Sequence, residues 1–271
     1  MLAAEAPDWL VVLGAVAAGF AAGVLSALLG IGGAVITTPV VRLLGGTPIE
    51  AVGSTVPAIV PGAISGAWRY TREGMVEWRL ALTLGSTGSV MAVVGALTSD
   101  VVNGRVLMVL TAGVMLWAGL SVVVRLRGGG AAPMDADPGD GLAARQSIPL
   151  LMALGSLAGF VAGLLGVGGG IVLVPVLTGP LRVPMRRAVA SSLVAVAVFQ
   201  VPALVTHIAL GHVNWALALP LMAGVVPGAQ EGAQLTVSAT DRTIRILFGL
   251  LIVVLATVYG ATEVRGLLAE S

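Results

Sequence analysis

Long apolar runs alternate along this chain with short polar or glycine-rich interruptions. A bilayer core of about 30 Å needs about 20 apolar residues per helix. Five apolar segments fit the first half: about 9–29, a short one at about 34–45, then about 49–70, 77–97 and 103–125. Five more fit the second: about 147–165, a short one at about 170–180, then about 186–210, 214–236 and 243–262. The stretch 128–146 between them is rich in Gly, Pro and Asp, a composition that predicts a solvated, flexible linker. The expected organisation is a membrane repeat over 9–127, a linker over 128–146 and a second membrane repeat over 147–265.

The two halves are copies of one unit. Gly23-Val24-Leu25-Ser26-Ala27-Leu28-Leu29-Gly30-Ile31-Gly32-Gly33, followed by Pro39, matches Gly159-Phe160-Val161-Ala162-Gly163-Leu164-Leu165-Gly166-Val167-Gly168-Gly169-Gly170, followed by Pro175. The offset is 136 residues up to Pro48/Pro184 and 137 beyond it. Ala51-Val52-Gly53-Ser54-Thr55 then faces Ala188-Val189-Ala190-Ser191-Ser192, and Trp78 faces Trp215. Such self-similarity marks a duplicated structural unit.

Composition places that unit in a membrane. The chain is 57% apolar and 10% charged, too few charges to cover a soluble surface. All 14 basic residues are Arg and none cluster as a nucleic-acid patch; the absence of Cys excludes disulfides and thiolate metal sites. Glu5 and Asp8 precede the first apolar run without a basic residue, which argues against a cleaved signal peptide. Arginine placement chooses between two topologies, because cytoplasmic loops carry the basic excess. If the short segments do not cross, the arginines divide evenly between the faces. If they cross, only Arg42, Arg105 and Arg265 oppose the other 11 of 14. The expectation is an all-α polytopic membrane protein of two inverted five-segment repeats, with both termini outside, a cytoplasmic linker, and a break within the bilayer in each half.

Those breaks carry the candidate chemistry. Gly19/Gly23 and Gly159/Gly163 fit close helix packing. The clusters Gly30, Gly32, Gly33 and Gly166, Gly168, Gly169, Gly170 instead interrupt a helix and free backbone N–H groups. Unpaired backbone at membrane depth is tolerated where it lines a cavity, and a helix starting there aims its positive end inward. Paired broken helices point to a transporter's anion site. Ala34 stands where the second copy has Gly170, which predicts a tighter first break. Ser54, Thr55, Ser191 and Ser192 recur beside the breaks, either bonding back to their own helix or donating to an oxyanion. Gln200 can line the same cavity. Glu231, between Gln230 and Gln234 in an apolar segment, is a candidate proton carrier, a carboxyl held by a neighbouring helix, or a residue nearer the interface than the segment bounds imply. His207 and His212 lack a carboxylate at ligand spacing, so no metal site is expected. Together with Glu231 they are too dispersed in this topology to build an enzyme's reactive set.

The repeated G-x-x-x-x-L-L-G-[IV]-G-G-[AG]-x-x-x-x-P, followed by A-V-[GA]-[ST]-[ST], resembles the TauE/SafE sulfite exporter family. The resemblance covers both halves and implies export of a small anion, sulfite or an organosulfonate such as sulfoacetate, across the cell (plasma or inner) membrane. The expected function is a secondary transporter with a midplane site, coupled to protons through Glu231; a passive anion channel is the alternative. The expected partners are that anionic solute and membrane lipid, with an oligomer compatible, no nucleic acid and no cofactor.

Overall fold

The computed structural model describes residues 9–127, 147–244 and 246–251. Their secondary structure is helical, joined by turns and glycine breaks, with no strand among them. The first half supplies α1 (Trp9–Leu29), α2 (Ala34–Leu43), α3 (Pro48–Arg72), α4 (Trp78–Val101) and α5 (Gly104–Arg127). The second supplies α6 (Ile148–Leu165), α7 (Gly170–Thr178), α8 (Met185–Ala209) and α9 (Trp215–Ser238). Residues 241–244 and 246–251 are helical as well; the rest of the expected 243–262 segment and the linker lie outside the described residues.

Local chemistry sets the ends. Thr47 and Glu50 form a reciprocal capping box at α3: the Thr47 N–H donates to Glu50 Oε2 at 2.8 Å, and the Glu50 N–H to Thr47 Oγ1 at 3.3 Å. Asn214 caps α9 by accepting the Ala216 N–H at 3.1 Å. At the breaks Gly30, Gly32 and Gly33 adopt φ of +72°, +86° and +81°, and Gly166, Gly168 and Gly169 +65°, +82° and +66°. A side chain resists that backbone region, so these positions need glycine.

Among the described residues, five helices are long and apolar enough to cross a membrane: Trp9–Leu29, Trp78–Val101, Gly104–Ser121, Ile148–Leu165 and Met185–Ala209. Their outward faces expose large apolar side chains such as Leu13, Phe20, Leu82, Val90 and Leu157. α2 and α7, with 10 and 9 residues, each reach about half of the ~30 Å hydrocarbon core at 1.5 Å per residue. α2 folds back along α1: Val41 joins Ala15 and Ala22 in one buried cluster.

Glycine allows the long helices to touch backbone to backbone. A methyl at Gly23 would meet the Val225 carbonyl, at Gly224 that of Val16, and at Gly232 that of Val24. The contacts 16–224, 20–228 and 24–232 advance together, so α1 and α9 are parallel. Gly88 against Gly159 and Ala92 against Gly163 make α4 and α6 parallel in the same way. Gly62–Val225 and Gly66–Ala229 align α3 with α9, and Gly85–Val198 with the bond from Glu77 to Ser191 aligns α8 with α4. Thus α1, α3 and α9 run one way, and α4, α6 and α8 the other. Arg69, Arg72, Arg79, Arg182, Arg186, Arg187 and Arg242 fall at the end where α3 and α9 finish. Arg42 and Arg105 fall at the opposite end.

Candidate functional site

The two breaks cross inside the protein. A Cβ on Gly32 would lie 3.2 Å from Gly168 Cα, and one on Gly170 would strike the Gly30 carbonyl and sit 2.9 Å from Ile31 Cα. Gly32 also abuts Val196 of α8, and Gly169 abuts Phe199 and the Ala158 carbonyl. Among the described residues, the N–H groups of Gly32, Gly33, Gly168 and Gly169 have no hydrogen-bond acceptor. They precede α2 and α7, whose N-terminal dipole ends add partial positive charge at the crossing.

The four hydroxyls beside the crossing are held by the scaffold. Thr55 Oγ1 donates towards Val52 O at 2.9 Å and Gly166 O at 3.2 Å. Its counterpart Ser192 Oγ reaches Val189 O at 3.0 Å and Gly30 O at 3.1 Å. Each hydroxyl therefore ties the opposite half's break to its own helix. Ser54 Oγ accepts the Asn214 N–H at 2.8 Å, and Ser191 Oγ accepts the Glu77 N–H at 2.9 Å. The oxyanion-donor reading of Thr55 and Ser192 meets a physical obstacle: their single O–H hydrogens already face break carbonyls.

Gln200 is different. It is fully buried in α8, and neither Oε1 nor Nε2 has a partner. It continues the stripe of Ser192 and Val196, four residues apart on one helix face, which touch Gly30 and Gly32. A buried amide without partners costs about 1–3 kcal/mol, a penalty that a bound polar solute would remove. Thr38 Oγ1 in α2 is likewise buried and unpartnered, while Thr37 Oγ1 bonds back to Gly33 O at 3.4 Å.

The structure does not bring Glu231 to the crossing. Gln230, Glu231 and Gln234 are exposed on the outer face of α9, opposite the Gly224, Gly228 and Gly232 edge that packs on α1. Arg69 is paired with Glu73 at 3.3 Å on the surface.

A cluster that sequence reasoning missed joins the two histidines to a carboxylate from the other half. His212 Nε2 lies 3.0 Å from Asp100 Oδ1, His212 Nδ1 lies 3.1 Å from His207 Nδ1, and His207 Nε2 lies 3.0 Å from Gly163 O. Both rings are buried, whereas the Asp100 side chain is 52% exposed. Asp100 and His212 are 112 residues apart. Asp100 has the apolar counterpart Val237, so repeat comparison could only have flagged it as an asymmetry. Among the described residues no group of three or more His, Cys, Asp or Glu is placed to hold a metal ion.

Cavities open at both ends. One, of about 460 Å³, is lined by Pro48, Asp100, Asn103, Gly104, Arg105 and His212 among others. The other, of about 410 Å³, is lined by Pro184, Arg186, Arg187, Thr240, Asp241 and Met75 among others. Pro48/Pro184, Asn103/Thr240, Gly104/Asp241 and His212/Met75 are repeat counterparts, so the same corner of each half forms a cavity. Neither cavity includes a break residue in its lining. Each carries arginine. In the second, Arg187 is ion-paired with Glu77, and Arg186 lies 3.9 Å from Asp241.

The sequence profile of the family described as sulfite exporter TauE/SafE matches residues 15–259, both halves and both breaks. This chain belongs to the TauE/SafE family. It is a membrane transporter, not an enzyme. A "Probable membrane transporter protein" of Xylella fastidiosa strain Temecula1 is 29% identical over 247 residues, covering 88% of this chain and 89% of that one. "Probable membrane transporter protein YunE" of Bacillus subtilis is 25% identical over 253 residues, covering 88% and 93%. "Probable membrane transporter protein MJ0441" of Methanocaldococcus jannaschii is 23% identical over 246 residues, covering 84% and 88%. No solved structure gives a significant match.

Proposed function

We propose that this transporter exports a small sulfur oxyanion, sulfite or an organosulfonate such as sulfoacetate, by alternating access around the crossing of its two helix breaks. The four unpaired glycine N–H groups at two helix starts carry the reading, because they offer an anion donors without a formal charge. Gly30, Gly32, Gly33, Gly166, Gly168, Gly169 and Gly170 shape the site. Gln200 supplies a side-chain amide, Thr55 and Ser192 hold the breaks in register, and Ser54 and Ser191 tie α3 and α8 to the neighbouring Asn214 and Glu77 backbone. Neutral donors suit a carrier, which must release its solute as readily as it binds it.

The halves are read as inverted repeats of 9–127 and 147–265 about the linker 128–146. The opposed directions of α1 and α6, α3 and α8, and α4 and α9 support this reading, as do the counterpart cavities at the two ends. The arginine-rich end is placed in the cytoplasm of the cell membrane, with both termini outside. The family description names sulfite export. A buried crossing set apart from both cavities is what a carrier presents between its two open states, which supports the carrier reading over the channel.

The test is efflux from liposomes containing the purified protein and loaded with sulfite, sulfate, sulfoacetate, taurine or acetate. Sulfite or sulfoacetate should exchange against itself by counterflow faster than taurine, which has no net charge. Equal rates for taurine, or flux without counterflow, would overturn the site or the carrier mechanism respectively.

A further inference from the structure

The Asp100–His212–His207–Gly163 chain has a property that follows from counting its hydrogens. Three links need three hydrogens between their heavy atoms. The Gly163 carbonyl contributes none, and two neutral imidazoles contribute one each. The chain is complete only when one further proton sits between Asp100 Oδ1 and His212 Nε2. Without it the His207 Nε2–H still points at Gly163 and one link lacks a hydrogen: either the Asp100 carboxylate faces the His212 Nε2 lone pair across 3.0 Å, or His212 donates to Asp100 and its Nδ1 faces that of His207 across 3.1 Å. In either tautomer two lone pairs oppose each other at one link, so the continuous path from Asp100 on α4 to Gly163 is interrupted.

The position of the chain gives that proton a consequence. In an unbroken helix the Gly163 carbonyl would accept from the N–H of residue 167. α6 stops at Leu165, so His207 takes the place of that donor one turn before the second break. The first half solves the same problem with a phenol: Tyr70, the counterpart of His207, donates its O–H to Ala27, the counterpart of Gly163, at 2.6 Å. No acid joins this equivalent bond, and Met75 stands where the second half has His212. One break is held by a phenol that needs no further proton, the other by a ring whose connection to α4 needs one more hydrogen than two neutral imidazoles supply.

We propose that Asp100, His212 and His207 form a proton-binding site that loads from the cavity beside Arg105 and clamps the second helix break, so that protons from that side gate the transport cycle. The proposal rests on the transporter reading given above. The proton comes from water in the cavity, where Asp100 is exposed, and returns there; binding takes the cluster from a net charge of −1 to zero. Other charged groups in reach are Arg105, which lines the same cavity, and Glu50 at the start of α3, which accepts from Asn214 Nδ2 at 3.3 Å. α6 contributes no ionisable side chain. Under the proposed orientation this cavity faces outside, where an inward proton gradient supplies the proton.

The test exploits the fact that the chain has only two histidines. Full-length protein labelled with 15N-histidine, purified and held in nanodiscs, is titrated by NMR without any solute. Both rings should change in one shared transition, because the links are interdependent, and Asp100→Asn should move its midpoint. Two independent transitions, or a midpoint unmoved by Asp100→Asn, would overturn the clamp. In liposomes, sulfite efflux should change about tenfold per pH unit on its titrating limb, as expected for one essential proton, and less than about twofold in His212→Gln. An unaltered steep profile in a His212→Gln protein that still transports would overturn the gating role. If the native protein moves none of the anions, the transporter reading fails while the NMR result still decides the proton site. His207→Gln, which keeps a donor for Gly163 O, separates misfolding from lost titration: it should elute as native protein and show a flat profile, and a native profile would overturn the proposal.

Discussion

The two halves differ least where they cross and most where they are clamped. Thr55 on Gly166 and Ser192 on Gly30 are the same bond made twice, as are Ser54 with Asn214 and Ser191 with Glu77. At the break carbonyls, by contrast, Tyr70 holds Ala27 in one half and the His207–His212–Asp100 chain holds Gly163 in the other. Charge is redistributed too: Glu50 accepts from neutral Asn214, whereas its counterpart Arg187 pairs with Glu77. The comparison teaches that the duplicated unit supplies a symmetric scaffold at the crossing, where the solute is proposed to sit. Polar divergence at the rim supplies what a symmetric scaffold lacks, a difference between the two faces.

The severest test of the symmetric part is Gly170→Val. The first half already carries Ala34 at this position, but Gly170 faces the Gly30 carbonyl directly. The substitution should abolish sulfite efflux and lower stability by about 1–3 kcal/mol through overpacking, read by liposome flux and thermal unfolding. Tyr70→Phe should cost about 1–3 kcal/mol by leaving the buried Ala27 carbonyl without its donor, yet keep the slope of the pH–efflux profile. A changed slope would mean that the phenol, too, takes part in proton gating. Gln200→Leu, which replaces an unpartnered amide with an apolar group, should leave thermal stability equal or higher while raising the KM for sulfite about tenfold, the loss of one hydrogen bond to a charged group. An unchanged KM would remove Gln200 from the solute path. Thr55→Val and Ser192→Ala should each cost about 1 kcal/mol, alike in both halves; a twofold disparity in cost would show that the crossing itself is asymmetric. Smallest of all, Glu231→Gln on the outer face of α9 should leave both efflux and its pH profile within about twofold of native, whereas a flattened profile would return proton coupling to Glu231.

Much of the architecture was readable from the pattern of residues. Consecutive glycines cannot sustain a helix, so Gly30–Gly33 and Gly166–Gly170 had to be breaks, and the constant offset had to produce equivalent elements. The apolar runs also bounded α3 and α8 to within a few residues of their observed ends. Face assignment was not readable. The Gln230–Glu231–Gln234 group looked internal because its segment is apolar, yet small residues at Gly224, Gly228 and Gly232 turn that side of α9 to α1 and leave the polar side outward. The hydroxyls were placed correctly along the chain, but their hydrogen-bond partners belong to the other half.

Sequence alone therefore determined the membrane class, the duplication and the locations of both interruptions, because each follows from local backbone freedom and hydropathy. Only the tertiary structure decided that the interruptions meet, that Gln200 is left without partners and that Asp100 closes a chain with His212 and His207. Those facts depend on which helix faces come together across more than a hundred residues, and interlocking of small residues between helices sets that, a property of pairs of surfaces and not of any one segment.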